Sequence, residues 1–247
     1  MRKLKRYGTA LLLVIATVFQ SCNDDDGYSI GDLGVDWVTV HVEGDGAYSF
    51  IGDRWGTMWP AATAITGYRG NEGDRAILYF NPLQKDFQGY DYAIKPELIN
   101  PILTKPVEEL TADNEKEYGD DPAYIHNIWL SGGYLNMTFQ QKVPKSKAHR
   151  VSLVRNRKVE SDASFKADGY IYLEYRYHTY GDTLNQVVLG AVCYNLNTLK
   201  GELESSKGIK LRIRSAVNGY RTLTLEKEAY GTPEEPRKLN VSEMQVK

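Results

Sequence analysis

The sequence predicts an all-β chain, a small β domain followed by an antiparallel seven-stranded β-sandwich. Three observations point there. Aromatic and β-branched residues are abundant, with 18 Tyr and 4 Trp among 247 residues, which favours pleated, half-buried strands over helices. Apolar and polar positions alternate with a period of two over many short runs. Turn chemistry (Gly132-Gly133, Asp168-Gly169, Gly181-Asp182, Asn218-Gly219) falls between those runs, where strands need to reverse.

The first β region spans 35–112. In Val35–Val42, Trp37, Thr39 and His41 alternate with Val38, Val40 and Val42, and Glu43–Gly46 forms a turn into Ala47–Ile51. Arg75–Asn81 and Tyr90–Ile94 are further strands. Pro96, Pro101 and Pro106 punctuate the segment that follows. Proline removes a ladder donor and fixes φ, so this segment is not expected to form one regular element and marks the exit from the first domain.

The second region, 113–247, carries seven strands: Tyr124–Leu130, Tyr134–Gln141, Ala148–Arg155, Tyr170–Tyr180, Gln186–Leu196, Ile209–Val217 and Tyr220–Lys227. Ile209, Leu211 and Ile213 face one way while Lys210, Arg212 and Arg214 face the other, as a sandwich strand requires. Asn218-Gly219 predicts a hairpin with a type I′ turn.

The N-terminus reads as a targeting segment. Met1–Arg6 is basic, and Ala10–Phe19 is an apolar run of about ten residues, too short for a bilayer core that needs about 20. Residues 1–21 are therefore expected to be a signal peptide. Ser21-Cys22 resembles the lipobox of bacterial lipoproteins, although Phe19 and Gln20 depart from its commonest residues. The resemblance implies cleavage before Cys22 and acylation of that residue. Asn23, Asp24, Asp25 and Asp26 look like the acidic export signal of Bacteroidetes-type surface lipoproteins. Residues 22–34 read as a flexible tether. The expected location is the outer membrane, lipid-anchored and facing the cell surface, with a periplasm-facing leaflet as the alternative.

This order of parts resembles the NigD-like lipoprotein family. The residues carrying the likeness are Cys22–Asp26, the Val35–Val42 strand, Arg75–Pro82 and the long sandwich strands with Tyr170–Tyr180. The resemblance implies an OB-like β-barrel over 35–112, a β-sandwich over 113–247, and an immunity-like role.

Charge narrows the partners. The whole chain has a net charge of −2. Without residues 1–21 it holds 26 Lys and Arg against 32 Asp and Glu, a net −6. Nucleic acid is excluded as a partner, since its binding depends on neutralising phosphates. His41, His126, His149 and His178 show no metal-binding spacing, and no catalytic Cys–His signature or phosphate loop occurs. Neither metal nor cofactor is expected. Cys193, between Val192 and Tyr194, reads as a buried strand thiol.

Two aromatic groups are candidate binding residues. Trp55, Trp59 and Tyr68 lie near a Gly-rich stretch and form a stacking platform on one reading, a barrel plug on the other. Tyr170, Tyr172, Arg176, His178 and Tyr180 share one face of their strand with Glu174. Tyr and Arg there suit a recognition surface, or ordinary cross-strand pairs. The sequence thus predicts a membrane-anchored, non-enzymatic binding protein whose partner is an envelope protein or a glycan. A glycan-binding accessory or hydrolase is the alternative.

Overall fold

The computed structural model describes residues 33–156 and 168–227. Cys22 and Asn23–Asp26 lie outside them. The first domain is built from β1 (Gly34–Val42), β2 (Tyr48–Gly52), β3 (Gly56–Pro60), β4 (Arg75–Phe87) and β5 (Tyr90–Pro106). They hydrogen-bond in the order β3-β2-β1-β4-β5, and β3 pairs in parallel with β5 from Met58↔Tyr92 to Pro60↔Ile94. That last pairing closes a five-stranded barrel of OB type.

Alternation assigns the faces. Val38 and Val40 on β1 and Ala76, Leu78 and Phe80 on β4 point into the barrel with Phe50, Met58 and Ile94. The intervening Val35, Trp37 and Ile77 point outward, yet they are buried too, against Trp129, Tyr134, Ala191 and Cys193 of the second domain. Burial on both faces explains why RAILYF reads as a nearly continuous apolar run.

The proline-punctuated segment corrects an expectation. It is one strand, β5, 17 residues long. Its partner changes along its length: β4 pairs with it up to Ile102, β3 only at 92–94, and β11 (Thr183–Asn195) from Leu103 to Pro106. Pro96 sits where the register with β4 shifts, between Tyr79 and Phe80. Pro101 falls between the β3 and β11 pairings, where no ladder on that side requires its missing N–H. Prolines at such positions are compatible with a strand.

The second domain continues with β6 (Glu108–Leu110), a short helix (Glu115–Tyr118), β7 (Tyr124–Ser131), β8 (Tyr134–Pro144), β9 (Arg150–Asn156) and β10 (Ile171–His178). After β11 come a helix at Lys200–Ser205, β12 (Gly208–Ser215) and β13 (Gly219–Glu226). One layer of the sandwich is the end of β5 with β11, β8 and β7, so it is the same eight-stranded sheet that forms the barrel. The other layer runs β13-β12-β10-β9-β6. Three pairings in the sandwich are parallel: β5 with β11, β6 with β9, and β10 with β12. The core between the layers contains Leu135, Met137, Phe139, Leu153, Leu173, Tyr175, Tyr194 and Leu211.

The β12–β13 hairpin is present, but its turn differs from the expected one. Ser215 pairs with Gly219, leaving the three-residue loop Ala216–Asn218. The positive φ (68°) belongs to Gly219, and Asn218 has none. This is a three-residue connection ending in a left-handed glycine rather than a two-residue type I′ turn.

A buried ion pair of the barrel sits at the junction of the two domains, and the second domain hydrogen-bonds to it. Arg75 on β4 grips Asp53 of the β2–β3 turn through two bonds, Nη1–Oδ1 at 2.8 Å and Nη2–Oδ2 at 2.7 Å, with side chains 0% and 2% exposed. From the β7–β8 hairpin, Ser131 donates to Asp53 Oδ2 (2.6 Å) and Asn136 accepts from Arg75 (3.3 Å). Tyr134 lies 5.1 Å from the guanidinium and donates to the Gly73 carbonyl. Trp37 and Trp129 meet edge to face beside it at 5.0 Å.

Candidate functional site

The face of β10 that carries Tyr172, Glu174 and Arg176 forms the floor of a cavity of about 400 Å³. Lys210 and Arg212 from β12, Thr222 from β13, Asn156 from the end of β9 and Glu115 from the short helix complete its lining. The register follows from the parallel pairing of β10 with β12, which sets Tyr172 beside Lys210 and Glu174 beside Arg212. Period-two alternation then brings these side chains to one face, while Ile171, Leu173, Ile209 and Leu211 go to the core.

Glu174 and Arg176 are only 5% and 4% exposed, so this is not a solvated sheet face. Every oxygen of Glu174 is engaged. Its Oε1 accepts from Asn156 at 2.9 Å, and its Oε2 accepts from Arg176 Nη2 at 2.6 Å and Arg212 Nη1 at 3.2 Å. Arg176 also approaches the Gly119 carbonyl (3.5 Å), Asp120 (3.6 Å) and Glu115 (3.9 Å). Its Nε–H has no acceptor among the described residues. Arg212 lies over the Tyr220 ring at 4.2 Å. At one wall, Asp168 accepts from both Lys210 and the Tyr172 hydroxyl. The Lys210 hydrogen bond, then that of Tyr172, lowers its carboxyl to about 2.

The other members of the strand lie away from this cavity. Tyr170 donates to Glu226 at 2.6 Å, with Lys210 4.9 Å from its ring. His178 and Tyr180 stack at 4.0 Å at the opposite end of β10, where His178 Nδ1 is 3.2 Å from the Glu117 carbonyl and Lys147 covers the Tyr180 ring. Gly119 is required there: its φ is +62°, and a Cβ would come within 2.5 Å of His178. The strand's five candidates therefore divide, Tyr172 and Arg176 in the cavity and the rest outside it. Lys210 and Arg212 joined them only through β12, although their alternation with Ile209, Leu211 and Ile213 already placed them opposite a core face.

The barrel aromatics each pack against different partners. Trp55 meets Phe80 and Tyr92 edge to face at 5.0 Å each. Tyr68 closes the barrel core against Tyr48 at 5.3 Å, and burial pushes its hydroxyl up to about 12. Trp59 tilts against Tyr90 at 5.3 Å. Trp55 also borders an open hollow of about 350 Å³ with Arg54, Asp86 and Asp91. Among the described residues, no group of three His, Cys, Asp or Glu is placed to hold a metal ion.

Two family models match the chain, one in each domain. Residues 37–101 match the NigD-like N-terminal OB domain, and residues 105–227 match the NigD-like C-terminal β-sandwich domain. The chain belongs to the NigD-like family. Solved structures agree with the NigD-like architecture. A protein of unknown function from Bacteroides vulgatus is 22% identical with a TM-score of 0.72, over 86% of this chain and 99% of that one. A NigD-like immunity protein from Bacteroides caccae is 19% identical with a TM-score of 0.55, over 81% and 94%. A protein from Bacteroides fragilis described as a lipoprotein is 12% identical with a TM-score of 0.53, over 82% and 100%. At these identities the likeness is one of fold. No curated protein matches the chain.

Proposed function

We propose that this NigD-like chain is a lipid-anchored protein of the outer membrane, displayed at the cell surface, that binds its ligand without transforming it. The observation that carries the binding reading is the cavity on β10 and β12, whose polar floor is buried and built from paired charges. Burying ions costs several kcal/mol each unless geometry and hydrogen bonding compensate, so a floor of this kind suits a recognition site. The same pairing argues against catalysis at this cavity. Glu174 spends both oxygens on two guanidiniums and an amide, so neither oxygen is turned toward a reacting group.

The anchoring reading rests on Cys22 at the end of a short apolar run, followed by Asn23–Asp26. It is supported by the lipoprotein description of the Bacteroides fragilis relative. A single acyl chain holds weakly, whereas two or three hold firmly. An immunity-like role, in which the partner is a toxin or another envelope component, is suggested by the description of the Bacteroides caccae relative.

Mass spectrometry of the mature N-terminus tests the anchor: a diacyl- or triacylglyceryl mass on Cys22 is expected, and an unmodified thiol refutes it. Surface protease accessibility on intact cells tests the leaflet. Crosslinking in native membranes tests the binding reading. Capture of a stoichiometric partner, lost in Arg212→Gln, is expected. Turnover of a surface glycan by the purified chain, lost on changing Glu115 or Glu174, would overturn the non-enzymatic reading.

A further inference from the structure

We infer that the cavity on β10 and β12 receives a carboxylate carried on a sugar ring, the acidic unit of a glycan; this rests on reading the cavity as a recognition site. The hydrogen-bond inventory gives the ligand's chemistry. Two carboxylates are consumed: Glu174 takes Asn156, Arg176 and Arg212, and Asp168 takes the Tyr170 backbone N–H, the Tyr172 hydroxyl and Lys210. The donors are in surplus. Each guanidinium offers five N–H groups. Among the described residues, none accepts the Nε–H of Arg176, which is 4% exposed. Arg212 directs only Nη1 at Glu174, and its side chain is 40% exposed. A ligand that completes this site brings oxygen acceptors, and a planar carboxylate matches the guanidinium fork.

The charge balance limits how anionic that ligand is. Lys210 is paired with Asp168, Glu174 faces both arginines, and Arg176 also has Asp120 at 3.6 Å and the half-exposed Glu115 at 3.9 Å. No strong positive field remains to draw a phosphate dianion, whereas a single carboxylate gains charge-assisted bonds by replacing Glu115. The volume of about 400 Å³ falls within the range of small-ligand pockets. The Tyr172 ring, in the lining with Lys210 Nζ 5.5 Å from its centroid, is the aromatic surface that a sugar ring would meet. These features favour a sugar acid over the acidic side chain of a docked protein.

The test is calorimetric titration of the detergent-solubilised full chain with D-glucuronate, D-glucose and L-glutamate at equal ionic strength. Saturable glucuronate binding is expected, at least tenfold tighter than glucose or glutamate. Arg212→Gln, at the rim, should weaken glucuronate at least fivefold while leaving the melting temperature within a few degrees. Arg176→Lys keeps a charge against Glu174 but removes the fork, and should weaken it similarly. Glutamate binding as tightly as glucuronate overturns the sugar in favour of a peptide acid. Glucuronate binding no better than glucose, or unaffected by both variants, overturns the inference. If crosslinking still captures a partner in an Arg212-dependent way, the cavity remains a recognition site and only the ligand class falls.

Discussion

Replacing Asp53 with alanine is expected to cost this chain more stability than almost any surface change, although Asp53 belongs to a turn. Its carboxylate takes two bonds from Arg75 and one from Ser131, at 2.6 to 2.8 Å, in a site where both ionic side chains are essentially closed to solvent. Burial works against the charge on Arg75, and the hydrogen bonds of Asp53 hold that charge in place. Among the described residues, Asp53→Ala leaves the guanidinium no carboxylate, and the nearest oxygens that remain are those of Thr39 at 3.1 Å and Asn136 at 3.3 Å. Breaking a buried pair by removing one partner costs about 3–5 kcal/mol. In a chain of this size 1 kcal/mol moves the melting temperature by about 2–4 °C, so a fall of roughly 6–20 °C is expected. Urea unfolding followed by tryptophan fluorescence reads it directly, because Trp37 and Trp129 sit at the same junction. The double variant Asp53→Leu with Arg75→Met removes both charges and should recover most of the loss. A single Asp53→Ala variant within about 1 kcal/mol of the unaltered chain would show that the pair does not stabilise the junction.

Three further outcomes can be measured on the same protein. Tyr175 and Tyr194 are buried in the sandwich core with hydroxyls that find no partner among the described residues. Tyr194→Phe should therefore be neutral or stabilising by up to about 1 kcal/mol in urea unfolding, and a loss above that value contradicts the inventory. Cys193 is fully enclosed, and burial pushes its thiol from 9.0 up to about 11. Between those pH values the folded chain holds a proton that the unfolded chain releases, so stability falls as pH rises, by up to about 1.4 kcal/mol per unit. Cys193→Ala should flatten that part of the profile, and the native thiol should resist alkylation at pH 8 until the chain unfolds. Gly208 has φ +145°, and a Cβ there would come within 2.1 Å of the Leu225 carbonyl oxygen. Gly208→Ala should lower stability by about 1–3 kcal/mol, whereas Gly201→Ala, with open space around it, should not.

Much of the fold could be read from alternation, because one face of each sandwich strand meets a core. Ile171, Leu173, Tyr175 and Tyr177 are buried together with Ile209, Leu211 and Ile213, as their spacing predicts. What escaped depends on neighbours distant in sequence. β5 was obscured by Pro96, Pro101 and Pro106, since local rules count the missing donors but not the places where no ladder asks for them. The hairpin at Asn218-Gly219 was located correctly, yet its turn was set by the Ser215↔Gly219 register. The cavity was half legible. Tyr172 and Arg176 share a strand face with Glu174, but their enclosure comes from β12 and from the helix at Glu115–Tyr118. A charged residue on a strand looks solvated until its partner arrives from elsewhere, and Arg75 with Asp53 escaped for the same reason.

The long strand β5 has a consequence for how this molecule could be divided. Its residues up to Ile102 are a stave of the barrel, and its last residues, Leu103–Pro106, pair with β11. A chain cut after Pro106 would separate a whole barrel from a sandwich whose β11 had lost a neighbour. The sandwich fragment would present a fresh row of unpaired amides and carbonyls, the kind of surface on which copies stack edge to edge. Expressing either half alone is thus a recipe for insolubility, and a swap between relatives succeeds only if the barrel, the whole of β5 and the sandwich travel as one piece.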